Sequence, residues 1–355
     1  MSWGVDSAIA AYLLQQQWYE VVAWFMKNYV SDSGNCTTYN DAEEAIKVSK
    51  FLWIEILSFD LQKEYNEKII EYIYDGYQQW ITPNPDVLCN SLIKFDVFLQ
   101  KAIELWFDYI ATGHYARIRE LKVAKSREIW KSWKLKEKKQ FELLRWIDYN
   151  KDQSYFLAGL NQFQLSKSLF PVWGYTKPEI RALAKNIWLP NAARKDSQWL
   201  CFIGNIPIKD FLLKKLPKKE GNIINTEGKI VGTHEWAYFF TIGQRHGLSL
   251  PFKAYVIKTD VKNNTVIVGE KEDKSLFGKT ISTTGRHWIR KTHKLPTKVI
   301  AKIRYRQEPQ EATLKTNKNW DIVVTFKEKQ RAIAPGQTIV AYKGDECIGS
   351  GVITG

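Results

Sequence analysis

Residues 1–14 read MSWGVDSAIAAYLL: a loop of small residues, an aspartate, a serine and then an apolar helix. A loop of that kind can hold phosphate, because N–H groups at a helix start point at an anion and the helix dipole favours its charge. Close approach of backbone to ligand favours glycine and penalises bulk. Trp3, the largest side chain available, stands in the middle of the loop. The stretch sets the expectation for the first half of the chain, an α/β domain that holds a ligand at the carboxyl ends of its strands. Trp3 is the residue that needs explaining.

Outward from that loop, helices alternate with short apolar strands. Asp6–Gln17 reads as a helix and residues 19–26 (YEVVAWFM) as a buried strand. Asn40–Leu52 is again helical, followed by a strand at Ile54–Leu57. Leu61–Tyr77 and Ser91–Leu105 read as amphipathic helices, the second leading into the strand FDYIAT. Such alternation predicts a parallel sheet with helices on both faces, which brings Met26, Gly113 and the opening loop together. A strand normally precedes a phosphate loop, so the pattern is expected to lack its first strand.

Beyond about Phe202 the pattern turns β-rich, with runs such as GNIINTEGKIVGTHEW, AYVIKTDVKNNTVIVGE, KVIAKIRYR, NWDIVVTF and QTIVAYKGDECIGSGVI. These predict a small linking domain and then a compact barrel. The expected domains are 1–202 (nucleotide-binding and catalytic), 203–280 (central linking) and 281–355 (C-terminal β-barrel). No internal repeat or low-complexity tract interrupts them.

At 355 residues and 45% hydrophobic content, the chain can build several cores. No apolar run reaches the length of a membrane span and no signal peptide is expected, so the reading is cytoplasmic. Cys36, Cys89, Cys201 and Cys347 contain no CxxC pair, which argues against a structural zinc site, and thiols of that context are not a disulfide framework. The formal net charge of +14 points to a polyanionic partner such as nucleic acid, although a lysine-rich surface also serves solubility. Between Lys122 and Lys139 eight Lys/Arg face two Glu, which reads as a solvated insertion or β-hairpin able to track a phosphate backbone.

Two further stretches carry chemistry. In TPNPDVLCNSLIKF, Asn84, Pro85 and Asp86 make a stiff turn, with Cys89 one helical turn on, where helix amides favour a thiolate. In ARKDSQWLCFIG, Cys201 follows a polar, basic turn. Two such thiols suggest a nucleophile and a resolving partner, although a lone thiol is more often buried and inert. Cys36 and Cys347 are assigned to packing. The opening SWGVDS resembles the SGGxDS loop of the ATP pyrophosphatase class, apart from Trp3. That resemblance places Ser2, Gly4, Val5, Asp6 and Ser7 around the phosphates of ATP, with Asp6 helping to hold Mg²⁺. Asp-Ser before a helix is also an ordinary cap.

TPNPDVLCN, ATGHYARI, DYNKDQSYFL, KDSQWLCFIG, FTIGQRHGL, KIRYRQ and APGQTIVAY occur in this order across essentially the whole chain. By them the sequence resembles the bacterial tRNA-specific 2-thiouridylase family (MnmA, TrmU in organelles). The resemblance implies an adenine-nucleotide α-hydrolase-like domain, a small central domain and a C-terminal β-barrel. It implies ATP-dependent exchange of the C2 oxygen of the wobble uridine of tRNA for sulfur. Cys201 would bear a persulfide whose sulfur comes from a sulfur-carrier protein or cysteine desulfurase. Cys89 would act as the nucleophile that resolves it, and Asp86 is a candidate acid/base. Met26 and Gly113 match adenine-nucleotide contacts. Asn84, Pro85 and Asp86 match the segment that meets the target base. His114, Lys151, Asp152, Gln153, Arg304, Tyr305 and Gln337 match positions that contact tRNA. A catalytically silent tRNA-binding protein and another ATP pyrophosphatase-class ligase are the alternatives; the paired thiols argue against both.

Trp3 is not alone. Trp18, Trp53, Trp106 and Trp188 each follow a predicted helix and lead into an extended segment. That slot is the C′ position, which favours Gly because the backbone turns left-handed, and Trp suits it poorly. Trp173, Trp199 and Trp236 also fall where the family resemblance implies Gly. The chain holds fifteen Trp against twenty Gly, an unusual ratio for residues of such different ordinary abundance. The economical reading is a codon, such as UGA, that the source organism reads as Gly and that is rendered here as Trp. The other reading is a chain with tolerated or inactivating substitutions. Trp288 and Trp320 are not sorted by the sequence.

Overall fold

The computed structural model describes residues 4–28, 37–79, 81–123, 138–149, 151–194, 208–260, 262–290, 294–318 and 321–354. Ser2, Trp3, Cys36, Trp199, Cys201 and the hairpin tip at 124–137 lie outside them.

Helix α1 (Val5–Gln16) buries Val5, Ala8, Ile9, Ala10, Ala11, Leu13 and Leu14, so it is a core helix rather than an amphipathic surface one. Strand β1 (Ala23–Lys27) follows and pairs in parallel with β2 (Ile56–Asp60), with helix α2 (Thr37–Leu52) between them. The strand begins four residues later than the apolar run predicts, because Trp18 and its neighbours are spent on the turn out of α1. A second parallel pair joins β3 (Ile110–Ala111) to β6 (Ser168–Leu169). The parallel α/β arrangement is therefore present, among the described residues as two pairs of strands. The helix carrying Cys89 runs through Pro85–Leu88, Cys89–Val97 and Phe98–Glu104, and its middle stretch is π-wound.

All four helix ends singled out by the tryptophans have the same geometry. Trp18, Trp53, Trp106 and Trp188 take φ values of 65°, 56°, 64° and 58°. Each ends its helix with two paired bonds. Trp18 N–H donates to Gln15 C=O and Tyr19 N–H to Leu14 C=O, and the pattern repeats from Trp53 to Lys50, Ile54 to Ser49, Trp106 to Ile103, Phe107 to Ala102, Trp188 to Lys185 and Leu189 to Ala184. This is the Schellman motif, in which the left-handed residue is usually Gly. The indoles gain nothing there: they are 96%, 93%, 93% and 86% exposed. Trp24 is the opposite case, buried and stacked on Phe59 at 4.1 Å with Phe98 and Phe107 edge-on.

The hairpin β4 (Arg117–Val123) and β5 (Lys138–Leu144) confirms the arms of the basic insertion. Two β domains follow. The first is a four-stranded sheet in the order β8 (Ile230–His234), β7 (Gly221–Ile224), β10 (Thr265–Gly269) and β9 (Tyr255–Asp260), in which β7 and β10 are parallel. The second is an antiparallel barrel. Strands β11 (Phe277–Trp288), β14 (Ile322–Arg331), β13 (Gln310–Thr316), β12 (Thr297–Lys302), β15 (Thr338–Lys343) and β16 (Glu346–Ile353) are neighbours in that order, and β11 pairs with β16 to close it. Ile281, Val324, Phe326, Ala301, Ile339 and Ile348 fill its interior.

The hairpin from the N-terminal domain docks on this barrel: Leu144 and Leu143 of β5 pair with Glu346 and Cys347 of β16. The seam is closed by charge, since Glu142, 5% exposed, accepts from both Arg119 and Arg290, and Arg290 also bonds Glu346. Among the described residues no helix is long and apolar enough to cross a membrane.

Candidate functional site

The functional residues gather in two neighbouring clusters. The first sits at the start of α1. Gly4 caps the helix with extended φ/ψ and supplies no side chain to the first amides, while its carbonyl accepts from Ser7 and Ala8. The Val5 and Asp6 amides, ahead of those two, have no side-chain cap and suit an anion. Asp6 projects from the first turn, where Tyr115 Oη donates to Oδ1 at 2.6 Å and Lys177 Nζ reaches Oδ1 at 2.6 Å and Oδ2 at 2.7 Å. Gly113 lies against the same turn; a Cβ there would stand 2.6 Å from the Asp6 carbonyl carbon and 2.7 Å from the Ser7 nitrogen. Only glycine permits that approach. Val5 is core and Met26, 4% exposed, lies near the carboxyl end of β1.

These residues fit a nucleotide triphosphate: uncapped amides, a glycine cradle, one carboxylate and one ammonium. Among the described residues no group of three or more His, Cys, Asp or Glu converges on a metal position. A Mg²⁺ here would accordingly be held by Asp6 together with phosphate oxygens and water.

The second cluster surrounds the stretch from Thr82 to Cys89, and all three domains meet on it. Thr82 N–H donates to Pro335 C=O, its carbonyl accepts from Gln337 Nε2 at 2.8 Å, and its hydroxyl meets that of Thr241 at 3.0 Å. Gly336 (φ 87°) makes this possible, since a Cβ would sit 2.8 Å from the Thr82 oxygen. Asn84 Nδ2 reaches Tyr155 Oη at 3.4 Å, and that hydroxyl donates to Thr338 C=O at 2.7 Å. Burial raises the pKa of Tyr155, so it remains a neutral donor. Tyr305 packs tilted against Phe156 at 4.3 Å between ring centroids, its pKa pushed up to about 12 chiefly by burial. Arg304 donates to Ala332 C=O beside Gly243. Asp86 lies in the first turn of the Cys89 helix, and Cys89 itself is 1% exposed.

The two clusters are tied to each other. Gln153 pairs with Tyr115 twice, its N–H donating to the Tyr115 carbonyl and its Oε1 accepting from Tyr115 N–H, both at 2.9 Å. His114 Nδ1 lies 2.7 Å from Thr112 Oγ1, with its ring among Phe95 and Phe170. Burial first, and the Lys94 charge second, push its pKa well below the ordinary imidazole range, so it stays neutral. Lys151 is exposed.

Asp152 departs from the expected placement. It is 1% exposed, and its carboxylate accepts from Trp146 N–H, Ser154 N–H and Ser154 Oγ and pairs with Arg145. Facing inward, it shapes the loop that presents Lys151 and Gln153. Cys347 is wholly buried and its pKa is pushed well up by burial and by Asp152, in keeping with a packing role. Cys201 and Ser2 fall outside the described residues, so the Cys89–Cys201 geometry is not drawn. Lys177 and Tyr115 were not marked by the sequence; their ties to Asp6 span 171 and 109 residues, and no local pattern announces them.

The comparisons follow this division. Residues 1–205 match the family described as tRNA methyl transferase HUP domain, 209–270 the tRNA methyl transferase PRC-barrel domain, and 278–353 the aminomethyltransferase beta-barrel domain. The chain is similar to the tRNA-specific 2-thiouridylase MnmA of Flavobacterium johnsoniae, 41% identical over 401 residues, covering 100% of this chain and 98% of that protein. It is 41% identical over 362 residues to MnmA 1 of Geobacillus kaustophilus, covering 99% and 94%. It is 40% identical over 362 residues to MnmA of Bacillus licheniformis, covering 99% and 93%.

Proposed function

The chain belongs to the tRNA-specific 2-thiouridylase family, and from that premise we propose that it replaces the C2 oxygen of the tRNA wobble uridine with sulfur in an ATP-dependent reaction. The observation that supports this reading is the meeting of all three domains on Thr82–Cys89, the stretch that carries Asn84, Pro85, Asp86 and Cys89.

ATP supplies the adenylyl group that turns the C2 oxygen into a leaving group, with pyrophosphate released. The start of α1, Asp6 and Gly113 hold its phosphates, and Met26 lies toward the base. Asn84, Pro85 and Asp86 receive the flipped wobble uridine, which the single-stranded anticodon loop presents without breaking a duplex. Arg304, Tyr305, Gln337 and Lys151 face the loop around it, Tyr305 offering an aromatic face for stacking.

Cys201, charged to a persulfide by a sulfur-carrier protein or cysteine desulfurase, attacks C2 through its outer sulfur, and AMP leaves with the oxygen. Cys89 thiolate then attacks the inner sulfur of Cys201. The S–S bond to the transferred sulfur breaks, its electrons complete the thiocarbonyl, and a Cys89–Cys201 disulfide remains for an external thiol to reduce. In the other order Cys89 releases hydrosulfide, which attacks C2. Asp86 handles the protons.

The test is wobble-uridine thiolation by Cys89→Ser and Cys201→Ser chains carrying Trp3→Gly and Trp199→Gly. Each serine variant is expected to lose thiolation and keep tRNA binding, because affinity comes mainly from phosphate contacts. Normal thiouridine yield in either variant overturns the two-cysteine reaction. Trp3 and Trp199 favour a second reading of the chain as written, a tRNA binder without turnover. That reading stands if tRNA binds and no form, glycine-restored or not, makes thiouridine.

A further inference from the structure

We propose that Lys177 is a phosphate ligand of the nucleotide site, parked on Asp6 until ATP arrives; this rests on the ATP reading above. Lys177 opens the helix Lys177–Asn186, capped by Thr176 in a box with Glu179. A cation in the first turn of a helix is opposed by the macrodipole, so its own helix does not explain its placement. Its ammonium is instead held across 171 residues by both oxygens of Asp6, and the side chain is 12% exposed.

The positive ends of two helices therefore meet at one carboxylate. Glu179 answers the dipole of the Lys177 helix, while the start of α1, roughly half a positive charge, has no side-chain cap. When Mg²⁺ engages Asp6, the Lys177 ammonium is released from that carboxylate toward the arriving β- and γ-phosphates, and a lysine serves such phosphates as a mobile point charge. Lys177 thus exchanges a carboxylate for phosphate without leaving its place on the helix.

The proposal is tested by nucleotide binding to the full chain carrying Trp3→Gly, with Mg-ATP and with AMP as probes. Lys177→Met is expected to weaken ATP binding at least about tenfold and to leave AMP within about twofold, since AMP lacks the outer phosphates. Lys177→Arg, which keeps the charge, should fall between, and it carries the same ATP-versus-AMP comparison should the Met variant not fold. Equal weakening of ATP and AMP assigns Lys177 a purely structural task and overturns the proposal; so does unchanged ATP binding. A parent chain that binds no ATP overturns the ATP reading itself, and the Lys177 proposal falls with it.

Independently, the four left-handed helix ends lead us to infer that the protein made in its own cells carries glycine at 18, 53, 106 and 188. Four Schellman turns with one bond pattern, four exposed indoles and one residue type at all of them is the distribution of a codon rather than of a packing preference. Peptide masses of the protein purified from the source organism decide it. Glycine at the four positions is expected; tryptophan at any of them, or UGG in the gene there, overturns the inference.

Discussion

The N-terminal domain and the two β domains solve the same backbone problem with different residues. In the described part of residues 1–205, the residues other than glycine with left-handed backbone are Trp18, Trp53, Trp106 and Trp188. In the β domains the left-handed turns fall on Gly228, Gly243, Gly247, Gly285, Gly336 and Gly344, alongside Ser249, Asn264 and Ala332. Asn visits this region through its short polar side chain; Trp has no such route and pays the full Cβ clash. The φ values of the two sets overlap, so the backbone does not distinguish them. The difference lies in which residue the written sequence places at a glycine-type position, and the fold is legible through it because the helix-terminating bonds come from the main chain.

Seven substitutions sharpen that comparison by unfolding free energy. Trp24→Ala removes an indole that fills a pocket among Phe59, Phe98 and Phe107, and stability is expected to fall by about 3–5 kcal/mol. Gly336→Ala combines a φ of 87° with a Cβ 2.8 Å from the Thr82 oxygen, for a loss of about 2–3 kcal/mol and a weakened grip on Asn84. Trp18→Gly, Trp53→Gly, Trp106→Gly and Trp188→Gly run the other way, each adding about 1 kcal/mol by relieving the left-handed clash. Gln15 Nε2 donates to Leu52 C=O, so the turns at Trp18 and Trp53 are neighbours, and their double variant tests whether those two gains add. Trp173→Ala is the control. That indole is half exposed and its residue lies outside the left-handed set, so the change should stay within about 0.5 kcal/mol. A gain at Trp173 equal to that at Trp18 would mean that exposed indole, not backbone, sets the penalty.

The four helix ends were readable from the sequence because a C′ position is local: a helix pattern, one residue, then an extended run. Both β domains were readable from their turn signals, and the arms of the basic hairpin from alternation and charge. What could not be read depended on distant partners. Residues 19–22 look like strand, yet the Schellman turn takes Tyr19 and pairing starts only at Ala23. Nothing in KPEIRALAKN signals that Lys177 holds Asp6, nor in KDQSYF that Asp152 turns inward to Arg145 and Ser154. The docking of Leu143 and Leu144 on the barrel is likewise a tertiary event with no local trace.

The measurement that tests the account most directly is ATP-dependent thiolation of tRNA by two full chains side by side. One is as written; the other carries glycine at 3, 18, 53, 106, 188 and 199. The glycine chain should melt higher, bind ATP and form 2-thiouridine with release of pyrophosphate, while the written chain is nearly inactive. Equal ATP binding and equal thiouridine yield from the two chains would contradict the account.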